Sequence, residues 1–267
     1  MNSPIRPEPS QARLDTRIDA FWRGRFALVQ PVGQGYRSGL DALLLASTLS
    51  TDAKGRLADL GAGAGAVGFA CAARAPGLTV VCVEKMAEMA MLLAQGLALS
   101  ENTSFAGRVA SIEADLLAPR PMLDDVGLRA GSFDHVATNP PFYPAGHRIS
   151  PDRLRAAALN APVADFLARW MRAALALLKD GGRFSAILPP EALGECLPVY
   201  ETRLGALAIT PIHARQGEAA IRIVVTGRKA SRAALAILPG RFLHLPDGTP
   251  SEFSKSVSEG EAIFGWR

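Results

Sequence analysis

The stretch Asp59-Leu60-Gly61-Ala62-Gly63-Ala64-Gly65 decides how the rest of this sequence is read. An apolar run, Arg56 to Leu60, leads into it, and a run of helical character, Ala66 to Ala75, leads out. Glycines between a strand and a helix let the backbone turn tightly and let a ligand approach it closely. Outward from this turn the alternation repeats. Thr79 to Glu84 reads as the next strand and Ala87 to Ser100 as the next helix, followed by strands at Arg108 to Glu113, Phe133 to Thr138 and Arg183 to Leu188. Strands alternating with helices predict parallel βαβ units with helices on both faces of the sheet.

The flanking regions complete the plan. Leu40, Leu43, Leu44 and Leu45 share a helical face, with Ser38 placed as N-cap and Asp41 in the first turn. Val163, Phe166, Leu167, Trp170, Met171, Ala174 and Leu177 repeat at helical spacing between Pro162 and the stop Gly181-Gly182. A helix from Glu191 to Leu204 precedes two strands, Ala206 to His213 and Ile221 to Thr226, which predict an antiparallel edge pair. Leu235 to Leu238 and Arg241 to Leu245 are candidates for one more strand. Prolines 4, 7 and 9 mark the start of a mobile tail over 1–24, the core domain spans 25–245, and 246–267 reads as a second tail.

Composition sets the class. The chain has 267 residues, 29 Lys plus Arg against 25 Asp plus Glu, and 49% hydrophobic residues. That excludes fibrous and disordered classes and leaves a chain able to bury roughly 75% of its unfolded surface. No window approaches 18 uncharged apolar residues, and the most apolar, Leu60 to Ala73, ends at Arg74. The N-terminus lacks a secretory apolar segment, so the expected compartment is the cytoplasm and no membrane partner is expected. Cys71, Cys82 and Cys196 are widely spaced in apolar surroundings, which predicts buried thiols rather than disulfides or a metal site. A net charge of +4 permits a polyanionic partner.

The acids around the glycine turn address its ligand. Gly63, Gly65 and Gly68 satisfy G-x-G-x-x-G, so a dinucleotide fold competes here. An aspartate beside the turn, Asp59, would repel a pyrophosphate and suit a cation. S-adenosylmethionine (SAM) has no phosphate and carries an ammonium and a sulfonium. Glu84, at the end of the second strand, can accept from two ribose hydroxyls in either cofactor class. Asp115 either accepts from an adenine amino group or is a solvated acid or helix cap. Tyr36 has two readings, a cation–π lid over the sulfonium or a core tyrosine.

Asn139-Pro140-Pro141-Phe142 follows the fourth strand directly, and ligands in open α/β sheets bind outside the carboxyl ends of the strands. Together with Asp-x-Gly-x-Gly-x-Gly, this loop resembles that of the amino-methyltransferases carrying N-P-P-[FY], which methylate a planar amide or exocyclic amine. More narrowly, Phe26 to Ala46 (FALVQPVGQGYRSGLDALLLA) and the stretch around Asn139 to Asn160 are similar to the bacterial tRNA adenine-N6 methyltransferases that act beside the anticodon of a valine tRNA. The resemblance covers roughly 25–245.

It implies a Rossmann-like class I methyltransferase, with a mostly parallel seven-stranded sheet and an antiparallel edge hairpin. SAM is then the cofactor and tRNA the partner. The Asn139 side-chain oxygen and the Pro140 carbonyl each accept one amine hydrogen, Pro141 stiffens the loop, and Phe142 stacks on the base. The same resemblance sets Asn139 beside the cofactor and the Gly35 to Asp41 segment, Asp41 included, against the cofactor's methionine end.

A second branch with the same loop methylates a glutamine in protein release factors, and the loop does not choose between them. Towards RNA lean Arg215, Arg222, Arg228, Lys229, Arg232 and Arg241, which can engage phosphates or form a solvated strand face. His147 and Arg148 are further phosphate candidates. An NAD-dependent oxidoreductase would leave Asn139 to Phe142 unexplained, and a non-catalytic RNA-binding module would not need the cofactor crevice.

Overall fold

The computed structural model describes residues 14–32, 39–142 and 165–266. After an N-terminal hairpin, β1 (Thr16–Phe21) and β2 (Phe26–Pro31), the chain runs α1 (Leu40–Ala46), β3 (Lys54–Leu60), α2 (Ala66–Arg74), β4 (Gly77–Glu84), α3 (Ala87–Leu97), α4 (Thr103–Ala106), β5 (Val109–Glu113), α5 (Arg120–Asp125) and β6 (Phe133–Thr138). It continues with α6 (Phe166–Leu177), β7 (Leu178–Leu188), α7 (Leu193–Glu201), β8 (Leu204–His213), β9 (Ala220–Lys229), the two-residue strands β10 (Ala236–Ile237) and β11 (Arg241–Phe242), and α8 (Glu252–Glu259).

The long strands lie in the order β8-β9-β7-β6-β3-β4-β5. All pairings from β5 to β7 are parallel, and β9 runs antiparallel between β7 and β8. The expected seven strands and antiparallel pair are therefore present. β10 and β11 extend the sheet to nine by pairing parallel with β8. Apolar side chains fill both faces. One cluster gathers Leu43, Phe69, Leu78 and Val257, and the other Leu123, Leu167, Met171 and Tyr200. Cys71, Cys82 and Cys196 are buried and free, as their apolar surroundings predict. No helix among the described residues is long and apolar enough to cross a membrane.

Both expected tails need correction where they are described, residues 1–13 lying outside the described residues. Residues 16–24 are ordered because Trp22 is 2% exposed, edge-on to Phe26 at 5.4 Å, and donates its indole N–H to the Val257 carbonyl at 3.0 Å. At the other end, Ser251 caps α8 by accepting from the Ser254 N–H at 3.1 Å, and Gly260 ends it at φ +77°. The Arg74 guanidinium then donates to the carbonyls of Leu49, Gly260 and Ala262 at 2.7, 2.8 and 2.6 Å. Aromatic burial and buried carbonyls needing donors make these segments part of the domain. The first helix begins at Leu40 with Gly39 as N-cap, and Ser38 lies outside the described residues.

Candidate active site

The sheet reverses its order at β3 and β6, whose helical connections depart to opposite sides, and that switch point is where open α/β sheets bind ligands. Leu60 and Thr138 are register partners. The glycine turn and the Asn139 loop therefore leave the sheet side by side, and a β-carbon placed on Gly61 would lie 3.9 Å from the Asn139 carbonyl oxygen.

The turn holds its shape through positive φ angles and backbone bonds. Gly61, Gly63 and Gly65 stand at φ +75°, +56° and +94°. The N–H groups of Gly61 and Ala62 donate to the Val83 carbonyl at 2.9 and 3.0 Å, drawing the turn over the end of β4. Glu84 continues the seam. Its Oε2 accepts from the Gly63 N–H and its Oε1 from the Met86 N–H, both at 2.8 Å. A carboxylate offers about four acceptor sites, so the half-buried Glu84 retains capacity for ligand hydroxyls. At Gly63 an added β-carbon would meet only the Met89 methyl, at 3.7 Å, so this face of the turn is open to a ligand.

Asp59 departs from the sequence reading. It is 1% exposed and accepts the Gly68 N–H at 2.8 Å, so it braces the first turn of α2 from beneath instead of facing a cation. Burial, with a smaller push from Glu84, drives its carboxyl up to about 7 against the Gly68 bond that lowers it. Between its ordinary 3.8 and about 7, the folded chain holds a proton that the unfolded chain has released. The contribution of Asp59 to stability therefore falls as pH rises from about 4 to about 7 and then levels. Asp59→Asn keeps an acceptor for Gly68 and removes the titration. Its urea midpoint is expected to gain on that of the unaltered protein from about pH 5 to about pH 7; a constant offset between the two would contradict this placement.

Asp115 accepts from the Lys85 ammonium at 2.7 Å and from the Leu117 N–H at 2.9 Å. Its burial opposes ionisation, yet these two partners outweigh that and hold its carboxyl below the usual range. Asp41 accepts from the Arg222 Nε–H at 2.9 Å, which ties α1 to β9. Tyr36, His147 and Arg148 lie outside the described residues. In the acceptor loop Pro140 is buried, Asn139 and Pro141 are half-buried, and Phe142 packs partly against the cluster around Leu167 and Met171.

Two residues that sequence reasoning did not assign to the site hold this seam. The Thr138 hydroxyl donates to the Leu60 carbonyl at 2.9 Å, and the Trp170 indole N–H donates to that hydroxyl at 3.0 Å. A β-carbon on Gly61 would lie 3.4 Å from the Trp170 ring, so the indole floors the junction of the two loops. The available signal was Trp170 itself: an indole on a buried helical face requires an acceptor for its N–H.

Sheet register splits the expected basic cluster in two. β9 runs against β7, with Ile223 opposite Leu188 and Arg228 opposite Arg183. Arg215, Arg222 and Arg241 therefore stand at the crevice end, and Arg228, Lys229 and Arg232 at the far end. At the crevice end the charges are matched: Arg215 pairs with Glu218 at 3.5 Å, Arg222 with Asp41, and Arg241 lies over the Phe253 ring. Among the described residues no cluster of His, Cys, Asp and Glu is suited to a metal.

The profile of the methyltransferase small domain family matches residues 38–187. A curated relative, the tRNA1(Val) (adenine(37)-N6)-methyltransferase of Pedobacter heparinus, is 26% identical over 231 residues, covering 85% of this chain and 93% of the relative. Among solved structures, a predicted O-methyltransferase from Agrobacterium tumefaciens is 34% identical with a TM-score of 0.71, covering 84% of this chain and 98% of that one. A T. thermophilus 16S rRNA N2 methyltransferase in complex with AdoMet and guanosine shares the fold at TM-score 0.55 and 20% identity, covering 83% of this chain and 52% of that one.

Proposed function

The chain belongs to the methyltransferase small domain family, and from that premise we propose that it methylates an exocyclic amine, the adenine N6 of a tRNA anticodon loop. It is a SAM-dependent methyltransferase; the cofactor, when bound, supplies a methyl group made electrophilic by its sulfonium. The open backbone at Gly63 and the spare acceptor capacity of Glu84 suit that ligand, and Asp115 borders the same strand ends.

The observation that carries the reading is the register of Leu60 with Thr138, which starts the Asn139 loop directly beside the glycine turn. An exocyclic amine conjugated to a ring is a poor nucleophile. Its two hydrogens need acceptors so placed that the nitrogen lone pair leaves conjugation and points along the line of transfer. The Asn139 side-chain oxygen and the Pro140 carbonyl are two such acceptors on adjacent residues. Pro140 and Pro141 limit the loop's freedom, and the half-buried Phe142 is the aromatic side chain on which the base would stack. An amine that has gained a methyl group sheds its proton to water, so the site needs no strong base. A hydroxyl acceptor would need one, and the nearest strand-end aspartate, Asp59, is turned away beneath α2.

The tRNA adenine assignment is supported by the Pedobacter heparinus relative, which this chain matches over 93% of its length, and by the quoted Phe26 to Ala46 segment. A base in a single-stranded loop is also less costly to unstack than one in a duplex. The test offers labelled SAM to two pools, unmodified total tRNA and unmodified release factor. Label is expected in tRNA. Label in release factor alone would move the chain to the glutamine branch, where the same loop would hold an amide.

A further inference from the structure

The far end of the sheet carries cations that the chemistry at the crevice does not use. Arg183 on β7 and Arg228 on β9 are direct cross-strand partners, so two like charges share one face of the sheet, a destabilising arrangement unless an anion relieves it. The chain path adds two more. The Ala230 N–H donates to the Arg203 carbonyl, and the Ser231 N–H to the Arg228 carbonyl, so the tight turn after β9 gathers Arg203, Arg228 and Arg232 at the same end. Arg203, Arg228 and Arg232 are exposed, and Arg183 is half-buried with its guanidinium over the Trp266 ring at 5.1 Å.

The carboxylates at this end form no ion pair with them among the described residues. Asp134 is paired with Lys179 at 2.7 Å, Asp180 and Glu201 stand within three residues of Arg183 and Arg203 in the chain, and the exposed Asp52, held down first by the Ser50 hydroxyl, also feels the Arg183 charge. None of the four arginines has a carboxylate within 4.0 Å among the described residues. This contrasts with the crevice end, where Arg215 and Arg222 are each paired with an acid.

We propose that Arg183, Arg203, Arg228 and Arg232 form a second docking surface, which binds the sugar-phosphate backbone of the substrate RNA away from the base being methylated. The proposal rests on the RNA reading above and extends it. From Arg183 to Leu188 the strand advances by roughly 17 Å at ~3.3 Å per residue. These arginines therefore cannot touch the target base or its immediate neighbours. An extended, folded polyanion whose other end reaches the crevice can meet them, and phosphate contacts of this kind position a substrate without reading its sequence. The surface thus gives preference for an intact tRNA over a short oligonucleotide carrying the same loop.

The test compares methyl transfer to full-length tRNA and to an anticodon-arm oligonucleotide by the unaltered protein and by an Arg203→Gln/Arg228→Gln double variant. Arg228→Gln removes a like-charge neighbour of Arg183, so the Tm is expected to hold or rise. KM for the full-length tRNA is expected to rise about tenfold at moderate salt. The slope of log KM against log salt should shrink by roughly 0.7 to 0.9 for each lost phosphate contact. kcat, and KM for the oligonucleotide, stay unchanged. Unchanged KM for both substrates overturns the docking surface and leaves the RNA reading standing. An equal rise for both also overturns it, since the effect would then arise at the crevice. Transfer to no RNA by the unaltered protein overturns the RNA reading and the surface with it.

Discussion

Replacing Asn139 by alanine is expected to lower kcat for methyl transfer by about 10² to 10³-fold, the usual effect of removing one positioned hydrogen-bonding group at a reacting centre. KM for the RNA and affinity for SAM should change only a few-fold, because the loss falls on orientation of the amine in the transition state. The scaffold explains why this single side chain carries so much. Thr138, the last residue of β6, is tied to Leu60 of β3, and Trp170 donates to Thr138 from α6. Asn139 thus emerges from a point bonded to two other elements, and Pro140 follows it into a buried position. Asn139→Asp keeps an acceptor there and is expected to retain more activity than Asn139→Ala. Steady-state kinetics with the isolated variants decides the matter: equal losses for the two would point to a structural role, and a loss confined to KM would point to substrate binding.

The second large effect is on stability and separates the fold from the ligand site within one turn. Gly65→Ala places a side chain at φ +94°, with its β-carbon 2.8 Å from Phe69 Cε1 and 3.1 Å from Leu93 Cγ. Both neighbours are fully buried, so they cannot swing aside. Backbone strain and overpacking together are expected to cost about 2 to 4 kcal/mol. In a domain of this size that lowers Tm by roughly 4 to 16 °C. Gly63→Ala differs. Its φ of +56° lies in the left-handed region, and its β-carbon meets only the flexible Met89 terminus. Its cost to the fold is about 1 kcal/mol, whereas the added methyl occupies the open face of the turn and weakens SAM binding. Thermal unfolding and calorimetric titration with SAM should show opposite rankings of the two variants. The same ranking in both would mean that the turn acts as one rigid unit.

Much of this architecture was legible because period and punctuation agree. The glycine turn, the helix over Phe166–Leu177 and the two long final strands all carry their pattern locally, and the structure places them as the pattern predicts, except that the helix ends at Leu177 and Gly181-Gly182 lie within β7. The ends of the chain were misjudged because polar composition outweighed sparse anchors. One tryptophan, Trp22, fastens the first hairpin, and α8 is announced only by the cap Ser251, the i,i+4 pair Phe253 and Val257, and the stop Gly260. The grouping of the basic residues changed for a different reason. Proximity in sequence suggested one basic cluster, but an antiparallel pair returns its residues to opposite ends of the sheet, and only the register of β7 with β9 shows which end each arginine occupies.

Asp59 gives the sharpest lesson about the site. The sequence pointed to a carboxylate beside the turn and inferred a cationic ligand, whereas the structure buries that carboxylate against the Gly68 N–H. The cofactor assignment rests instead on family membership and on the open turn beside Glu84. Thr138 and Trp170 were legible as sheet-forming and helix-packing residues, but their joint role needs two elements brought together across the seam, which no local pattern encodes.

The most direct test of the account is the identity of the methylated atom. tRNA lacking the modification is incubated with labelled SAM and the unaltered protein, digested to nucleosides and resolved by mass spectrometry, with Asn139→Ala run in parallel. The account predicts label in N6-methyladenosine, lost with the variant. Label in a ribose-methylated or ring-nitrogen-methylated nucleoside, or full labelling by Asn139→Ala, would contradict it.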